Sequence, residues 1–205
     1  MKINKLLILF ACLLSMSAIA YAEELDALGN PIIRSIEKCS TSTEAKQLQC
    51  VSYHQTTGYT CGPASAMTLM RYYGKLNAGQ MNSKTELRIA SEMGTTTTGT
   101  TMSQVAGWLS GQGMNVSSGQ NISADELIAN IKRGTPVIIG FGDHWIVAKG
   151  YRKGNASTYN HEDEFTFADS CCGVTTIPRG VIDSVGTPNL YPKQCTNINY
   201  IVATR

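Results

Sequence analysis

Apolar residues in the middle of the chain recur at the spacing of a helix. Met67, Met70 and Tyr73 share one face of a segment that is followed by Gly74. A glycine directly after such a segment is typical of a helix end. The pattern therefore predicts a first helix over residues 61–73.

Three further helices are predicted by a Ser or Thr followed three residues later by Glu or Gln, the signature of a capping box. The pairs are Ser83 with Glu86, Thr101 with Gln104, and Ser123 with Glu126. Each pair precedes apolar residues at helical spacing: Leu87, Ala90 and Met93; Val105, Trp108 and Leu109; and Leu127, Ile128 and Ile131. Gly94 and Gly134 are expected to end the first and the third of these helices.

The pattern changes after the last predicted helix. Short runs rich in β-branched and aromatic residues follow, separated by Gly, Asn and Asp. They occupy residues 135–141 (TPVIIGF), 145–151 (WIVAKGY), 164–168 (EFTFA) and 200–204 (YIVAT). Helices followed by strands predict an α+β domain, in which N-terminal helices pack on a C-terminal antiparallel β-sheet.

The beginning of the chain has the features of a signal peptide. Lys2 and Lys5 precede an apolar run over residues 6–14, and small residues lead to Ala20-Tyr21-Ala22. The apolar run is shorter than the ~20 residues that a membrane span requires. We expect cleavage after residue 22, and therefore an exported protein that is periplasmic or secreted.

Charge limits the classes of partner, and length indicates the size of the domain. The chain has 17 Lys+Arg and 15 Asp+Glu, and removal of Lys2 and Lys5 leaves 15 of each. A net charge near zero without a basic run gives no support for binding to nucleic acid or to an anionic membrane. Removal of 22 of the 205 residues leaves 183, which suffices for one well-buried domain.

Four residues form a candidate catalytic set. Cys61 begins the first predicted helix, where free N–H groups and the helix dipole favour a thiolate. Gln55 lies six residues earlier and offers an amide that can donate to an oxyanion. His144 begins one β-rich run and Asp169 follows another, which suits a base and the group that orients it. The set predicts a cysteine hydrolase that acts on proteins or peptides without a cofactor or metal.

Rival residues lie next to this set. Asp143 is an alternative orienter, but it adjoins His144, and neighbours in a strand point to opposite faces. His54 is an alternative base, but it adjoins Gln55 in a segment with no predicted helix or strand. Trp145 has two open interpretations, since it either covers the bond of His144 to its carboxylate or packs in the core.

Six cysteines follow the signal peptide: Cys39, Cys50, Cys61, Cys195 and the vicinal pair Cys171 and Cys172. An oxidising compartment favours pairing among them. With Cys61 reduced, we expect one disulfide between Cys39 and Cys50, and another between Cys195 and one member of the vicinal pair. The alternative is three structural disulfides that include Cys61, which would leave the site inert or under redox control.

An ordered set of motifs resembles one family. Gln55, Cys61-Gly62-Pro63-Ala64-Ser65 and Tyr72-Tyr73-Gly74 are similar to the nucleophile motif of the double-glycine leader, or bacteriocin-processing, cysteine peptidases. Thr135–Ile139, His144–Val147 with Gly150-Tyr151, and Asp169 follow in that family's order. The resemblance covers roughly residues 50–170. It implies a papain-like fold in which Cys61 is the nucleophile, His144 the base, Asp169 the orienter and Gln55 part of the oxyanion hole.

The chain departs from the family's pattern in two ways. An Asp-Pro pair often carries the orienter, whereas here Asp169 is followed by Ser170 and then by the vicinal pair. The best-known members are fused to a peptide-exporting ATPase and face the cytosol, whereas we expect this chain to be stand-alone and exported.

Together these features predict three regions: a signal peptide over residues 1–22, an N-terminal arm over 23–50 and a papain-like peptidase domain over 51–205. The expected function is that of an exported cysteine peptidase with a Cys-His-Asp triad, which processes a secreted or periplasmic protein or a leader peptide. One alternative uses the same site on a cell-wall or isopeptide amide, as an amidase or a transglutaminase. The other is an inactive papain-like binding module.

Overall fold

The computed structural model describes residues 44–154, 163–183 and 198–205, together with the backbone of 24–25 and 31–32. The chain divides into two units, Met1–Thr41 and Ser42–Arg205. In the first unit, strands β1 (Glu24–Leu25) and β2 (Pro31–Ile32) pair antiparallel.

One antiparallel sheet organises the described part of the second unit. Its strands are β3 (Ala45–Gln47), β4 (Asn115–Gln120), β5 (Val137–Phe141), β6 (His144–Arg152), β7 (Glu164–Asp169), β8 (Gly173–Pro178) and β9 (Ile198–Thr204). Six of them follow the order β4-β9-β5-β6-β7-β8, and β3 pairs with β6 beside this path. All of these pairings are antiparallel.

Within the described residues, five α-helices and a short 3₁₀ helix, Ala78–Gln80, accompany the sheet. The α-helices are α1 (Cys61–Tyr72), α2 (Ser83–Met93), α3 (Met102–Gly111), α4 (Ala124–Lys132) and α5 (Arg179–Asp183). The first three pack together on one face of the sheet, and α4 packs on the other. None of the helices in the described ranges has the length and apolar character needed to cross a bilayer.

The central strands are buried on both faces, which explains their almost continuous apolar sequences. On β5, Ile138 joins the cluster beneath α1 to α3, whereas Val137 and Ile139 join the cluster beneath α4. On β6, Val147 joins the cluster beneath α1 to α3, and Ile146 joins the cluster beneath α4. The structure thus confirms the predicted α+β architecture with an antiparallel sheet.

Two of the three predicted capping boxes are present. Thr101 with Gln104 opens α3, and Ser123 with Glu126 opens α4; in each pair both reciprocal hydrogen bonds form. Side-chain capping of this kind satisfies backbone N–H groups that have no partner within the helix. The start of these helices was therefore predictable from local sequence.

The third predicted box, Ser83 with Glu86, is wrong. The N-cap of α2 is Asn82, whose side chain accepts a hydrogen bond from the backbone N–H of Thr85 at 3.0 Å. Glu86 is fully buried and turns inward, whereas Leu87, expected on the apolar face, is 45% exposed. The helix is rotated from the predicted orientation because the Glu86 carboxylate has hydrogen-bonding partners inside the protein.

The sequence pattern missed strands β4 and β8. Both are edge strands, so each pairs with only one neighbouring strand and much of its surface is exposed. Their sequences, NVSSGQ and GVTTIP, are therefore rich in polar residues and lack a long apolar alternation. β4 also precedes α4, so the helices and strands are not fully separated along the chain.

Candidate active site

Cys61 is the first residue of α1 and is only 3% exposed. The residue before it, Thr60, makes no capping bond from its side chain to the helix; its hydroxyl instead donates to the carbonyl of Thr57. N–H groups in the first turn of a helix attract negative charge when no side chain occupies them. The start of α1 therefore offers backbone donors beside the Cys61 sulfur.

His144 and Asp169 form a hydrogen-bonded pair. Nε2 of His144 lies 2.9 Å from Oδ1 of Asp169. In the pairing of β6 with β7, Asp169 lies opposite Ile146, two residues from His144. Diagonal neighbours of this kind share a face of the sheet and are within reach of long side chains. The strand register thus places the imidazole beside the carboxylate.

The pKa of His144 is raised to about 9. Its hydrogen bond with the Cys61 side chain is the largest cause; burial opposes the shift, and the bond and charge of Asp169 add to it. Because Nε2 faces Asp169, Nδ1 is the ring nitrogen left for the thiol. The imidazole therefore connects the cysteine to the carboxylate.

Backbone donors hold the Asp169 carboxylate in place. The N–H groups of Cys171 and Cys172 donate to its Oδ1 at 2.8 and 3.3 Å. Burial acts to raise the pKa of Asp169, but the bonds from His144 and from these N–H groups outweigh it and lower that pKa. The turn after β7 thus keeps the carboxylate ionised beside the imidazole.

Two residues outside the predicted site also hold Asp169 at the end of β7. Thr175 on β8 donates its hydroxyl to Oδ2 of Asp169 at 3.2 Å. Ser52, on the segment before α1, donates its hydroxyl to the backbone carbonyl of Asp169 at 2.7 Å. Neither residue lies in a motif, and only the pairing of distant segments reveals them.

Gln55 is joined to the residue that follows Asp169. Its backbone N–H donates to the carbonyl of Ser170 at 2.9 Å, and its Oε1 accepts from the Ser170 hydroxyl at 2.7 Å. Its Nε2 donates to the carbonyl of Thr57 at 2.6 Å. The loop before α1 is therefore fixed to the end of β7.

A buried carboxylate from α2 holds the same loop on its other side. Glu86 accepts from the backbone N–H of Thr56 at 2.9 and 3.1 Å and from the hydroxyl of Tyr53 at 3.1 Å. The hydroxyl of Thr56 also donates to it. Its burial would be costly without these donors, so Glu86 provides a strong local constraint on the residue next to Gln55.

Trp145 and Gly62 close the interior side of the site. Trp145 is 6% exposed, belongs to the same apolar cluster as Cys61 and donates from Nε1 to the carbonyl of Thr100 at 2.8 Å. This placement supports the core-packing interpretation of Trp145. A Cβ at Gly62 would lie 2.8 Å from Cβ of Thr100, so the threonine-rich loop comes very close to the start of α1.

The rival residues take other positions. His54 is exposed on the loop, and it is His144 that contacts the carboxylate of Asp169. Asp143 faces the site through its backbone, because its carbonyl oxygen lies 3.9 Å from the Cys61 sulfur.

The cysteines differ from the predicted pairing. Cys50 is a free, buried thiol within the apolar cluster under α4, and burial raises its pKa to about 12. Cys171 and Cys172 are exposed free thiols. The structure therefore contains neither the Cys39–Cys50 bond nor a bond from the vicinal pair to Cys195. The partners Cys39 and Cys195 lie outside the described residues.

The whole arrangement joins a buried thiol at a helix start, an imidazole, a carboxylate and a fixed amide. Such a set is suited to nucleophilic attack on a carbonyl group and to proton transfer to the leaving group.

Comparison with known proteins agrees with this geometry. The sequence profile of the Peptidase_C39 like family matches residues 47–177. No curated protein matches the chain by sequence.

Three solved structures share the fold. A double glycine motif protease from an AMS/PCAT transporter, solved in complex with the leader peptide, is 19% identical with a TM-score of 0.53 over 78% of this chain and 95% of that one. The peptidase domain of Streptococcus ComA, a bi-functional ABC transporter, is 15% identical with a TM-score of 0.52 over 76% and 99%. UfSP from C. elegans is 14% identical with a TM-score of 0.54, over 83% of this chain but 36% of that longer chain.

At these identities the structural likeness shows the fold, which is the papain-like α+β fold implied by the sequence resemblance. The family profile matches well over half of the chain and includes Cys61, His144 and Asp169. The chain therefore belongs to the Peptidase_C39 like family.

Proposed function

We propose that the protein is a cysteine peptidase that hydrolyses peptide bonds, with Cys61 as nucleophile, His144 as base and Asp169 as orienter. The observation that supports this proposal most directly is the 2.9 Å contact between Nε2 of His144 and Oδ1 of Asp169. The raised pKa of His144, to which Cys61 contributes most, is consistent with a thiol beside the imidazole. Gln55 and the Cys61 backbone N–H are the proposed oxyanion donors.

The reaction starts from a Cys61 thiolate and a His144 imidazolium, with the proton of the thiol held on Nδ1. The thiolate attacks the peptide carbonyl carbon, and the electron pair of the C=O bond moves to the oxygen. The imidazolium protonates the leaving amine as the C–N bond breaks, which leaves a thioester. His144 then takes a proton from water, and the hydroxide formed hydrolyses the thioester and regenerates the thiol.

The charges around His144 favour these steps. A pKa raised to about 9 keeps the imidazole protonated at neutral pH next to the sulfur. Asp169 holds Nε2, and therefore directs Nδ1 to the thiol rather than to solvent. Donors aimed at the developing oxyanion are worth about 100–1000-fold in rate per donor.

The proposed substrate is a secreted or periplasmic protein or a leader peptide. The double glycine motif protease with its bound leader peptide has the same fold, which supports a peptide as the substrate class. Lys2, Lys5 and the apolar run over 6–14, followed by small residues up to Ala22, support export. Fractionation of cells that express the full chain should place the protein outside the cytosol, with Glu23 as its first residue; a cytosolic protein that begins at Met1 would contradict export.

Alkylation and turnover test the proposed activity in the exported protein. Iodoacetamide at neutral pH should label Cys61 before Cys50, because burial raises the pKa of the Cys50 thiol to about 12, and a peptide library should be cleaved. Cys61→Ala should lose both labelling at that position and cleavage, whereas Cys50→Ala, the matched control, should retain both. An unlabelled Cys61 without peptide cleavage would favour a binding module, and cleavage by Cys61→Ala would reject Cys61 as the nucleophile.

A further inference from the structure

The side-chain amide of Gln55 has one permitted orientation. Its Nε2 faces the carbonyl of Thr57 at 2.6 Å, and a carbonyl oxygen only accepts hydrogen bonds. A flipped amide would place two acceptors against each other. The oxygen Oε1 therefore faces Ser170, whose hydroxyl must be the donor in the 2.7 Å bond between them.

This orientation leaves one hydrogen of the Gln55 amide unused by the protein. Nε2 carries two hydrogens, and the carbonyl of Thr57 takes one. The other hydrogen is available to an oxygen of a bound substrate. An amide that rotated freely would present its oxygen to that position for part of the time, and would then repel an oxyanion.

Ser170 is well placed to prevent such rotation. It is 4% exposed, and its carbonyl accepts the backbone N–H of Gln55 while its hydroxyl donates to the side chain of the same residue. It also follows Asp169 directly, so a single turn of the chain orients both the imidazole and the amide. The resemblance to double-glycine leader peptidases leads us to expect proline at this position, which has no hydroxyl to donate.

The backbone of the loop has supports that do not depend on the Ser170 hydroxyl. Glu86 holds the N–H of Thr56, and the backbone bond from Gln55 to the carbonyl of Ser170 does not involve the serine side chain. Removal of the hydroxyl alone should therefore leave the amide held only by its bond to the carbonyl of Thr57, with more freedom to rotate, and leave the path of the loop unchanged.

We propose that Ser170 is a positioning residue that fixes the Gln55 amide with one Nε2 hydrogen directed to the oxyanion. The proposal rests on the proposed function, because it assigns to Ser170 a role in transition-state binding at that same site. It requires no additional chemical step.

The test compares two reagents that react with the same thiol. An acetylated dipeptide aldehyde adds to the thiolate and, with one proton, forms a hemithioacetal whose oxygen occupies the oxyanion position. Iodoacetamide transfers its carboxamidomethyl group to the sulfur and releases iodide, so no oxyanion forms. Ser170→Ala should weaken binding of the best aldehyde of a small panel by about tenfold, while iodoacetamide labels Cys61 within about twofold of the wild-type rate.

A double-variant cycle separates positioning from general damage. In a Gln55→Ala background, Ser170→Ala should have no further effect on aldehyde affinity. Ser170→Thr, which keeps the hydroxyl, should restore most of the affinity. Ser65→Ala is the matched control, because it removes another buried serine hydroxyl, which donates to the carbonyl of Trp145 at 3.0 Å, without touching Gln55. Ser65→Ala should leave the ratio of aldehyde affinity to the rate of iodoacetamide labelling unchanged.

A measurement without any ligand completes the test. The side-chain amide protons of Gln55, identified by their loss in Gln55→Ala, should exchange with solvent about tenfold faster in Ser170→Ala. Unchanged exchange, or an equal loss of aldehyde affinity with and without Gln55, would overturn the role of Ser170. If instead iodoacetamide fails to label Cys61 in the wild-type protein, the proposed peptidase function is contradicted, whatever Ser170 does to the amide.

Discussion

Thr175 and His144 bind opposite oxygens of the same carboxylate, Asp169. The hydroxyl of Thr175 donates to Oδ2 at 3.2 Å, and Nε2 of His144 lies 2.9 Å from Oδ1. With both oxygens occupied, the carboxylate cannot rotate without losing a hydrogen bond. The direction of the imidazole is therefore determined by strands β6, β7 and β8 together.

Removal of either member of the proposed nucleophile–base pair should abolish turnover. Cys61→Ala and His144→Ala should each lower kcat by at least about 1000-fold, and the double variant should be no worse than either, because the two residues act as a unit. The measurement is peptide cleavage by folded protein. His54→Ala is the control, since His54 is exposed and lies outside the contact with Asp169. Loss of activity in His54→Ala, with His144→Ala near wild type, would reverse the assignment of the base.

Asp169→Ala should leave measurable activity, because the carboxylate orients the ring without contacting the substrate. Loss of a hydrogen bond to a charged group costs about 1.5–3 kcal/mol, or roughly 10–100-fold in kcat. Thr175→Val should have a smaller effect in the same direction. Steady-state kinetics with one peptide compares the two, and a larger loss in Thr175→Val than in Asp169→Ala would contradict this order.

The free energy of unfolding should fall as the pH rises from 6.5 towards the pKa of His144. Its pKa in the folded protein is raised to about 9, above the usual 6.5. The folded state therefore binds the proton more tightly than the unfolded state. The resulting stabilisation is fully present below pH 6.5 and is lost as the pH approaches 9.

Urea unfolding at pH 6, 7.5 and 9 measures this loss. His144→Gln should show a shallower decline in the free energy of unfolding than the wild type, and His54→Gln should follow the wild type. Equal slopes for all three proteins would show that His144 is not responsible for the decline.

Gly62→Ala should destabilise the protein although alanine favours helices. The new Cβ would lie 2.8 and 2.9 Å from Cβ and Oγ1 of Thr100, so the threonine-rich loop or α1 must move. Overpacking of this kind costs about 1–3 kcal/mol. Gly107→Ala on α3 is the matched control, because a Cβ there meets nothing within 4 Å, and it should stabilise by about 0.5–1 kcal/mol. Thermal unfolding should show a lower Tm for Gly62→Ala and a higher Tm for Gly107→Ala than for the wild type.

Glu86→Gln should loosen the loop that carries Gln55. Both carboxylate oxygens accept hydrogen bonds, and the amide nitrogen of glutamine would face a donor instead. We expect a loss of about 1–3 kcal/mol in the free energy of unfolding. Glu92→Gln, on the exposed side of α2, should cost less than about 1 kcal/mol, because its bond to Arg88 is a surface ion pair and the glutamine oxygen can still accept from Nε1 of Trp108. Equal losses in the two variants would argue against a special role of the buried carboxylate.

Local sequence predicted the parts of the fold that depend on local forces. The boxes at Thr101 and Ser123 were recognisable because the capping residues lie three positions apart, and β5 and β6 because both of their faces are buried. β7 was recognisable because Phe165 and Phe167 alternate with less buried residues. The box at Ser83 was wrong because Glu86 has partners on a loop thirty residues away, which no local pattern records.

The candidate site likewise contains residues that the sequence predicted and residues that only the fold reveals. Motif order selected Cys61, His144 and Asp169, and the structure places the side chains of His144 and Asp169 in contact, with the Cys61 sulfur 3.9 Å from the carbonyl oxygen of Asp143 beside them. Thr175 and Ser170 could not be selected, because their relevance depends on the β7–β8 register and on the return of the loop before α1.

The position of β9 has a consequence for the timing of folding. β9 joins β4 to β5, and Ala203 within it accepts a hydrogen bond from Tyr73 at the end of α1. A chain that leaves a ribosome or an export channel N-terminus first exposes Cys61 well over one hundred residues before β9 emerges. Contacts so distant in sequence form late. The nascent chain therefore presents Cys61 before the sheet is complete, so the candidate site assembles only late in folding.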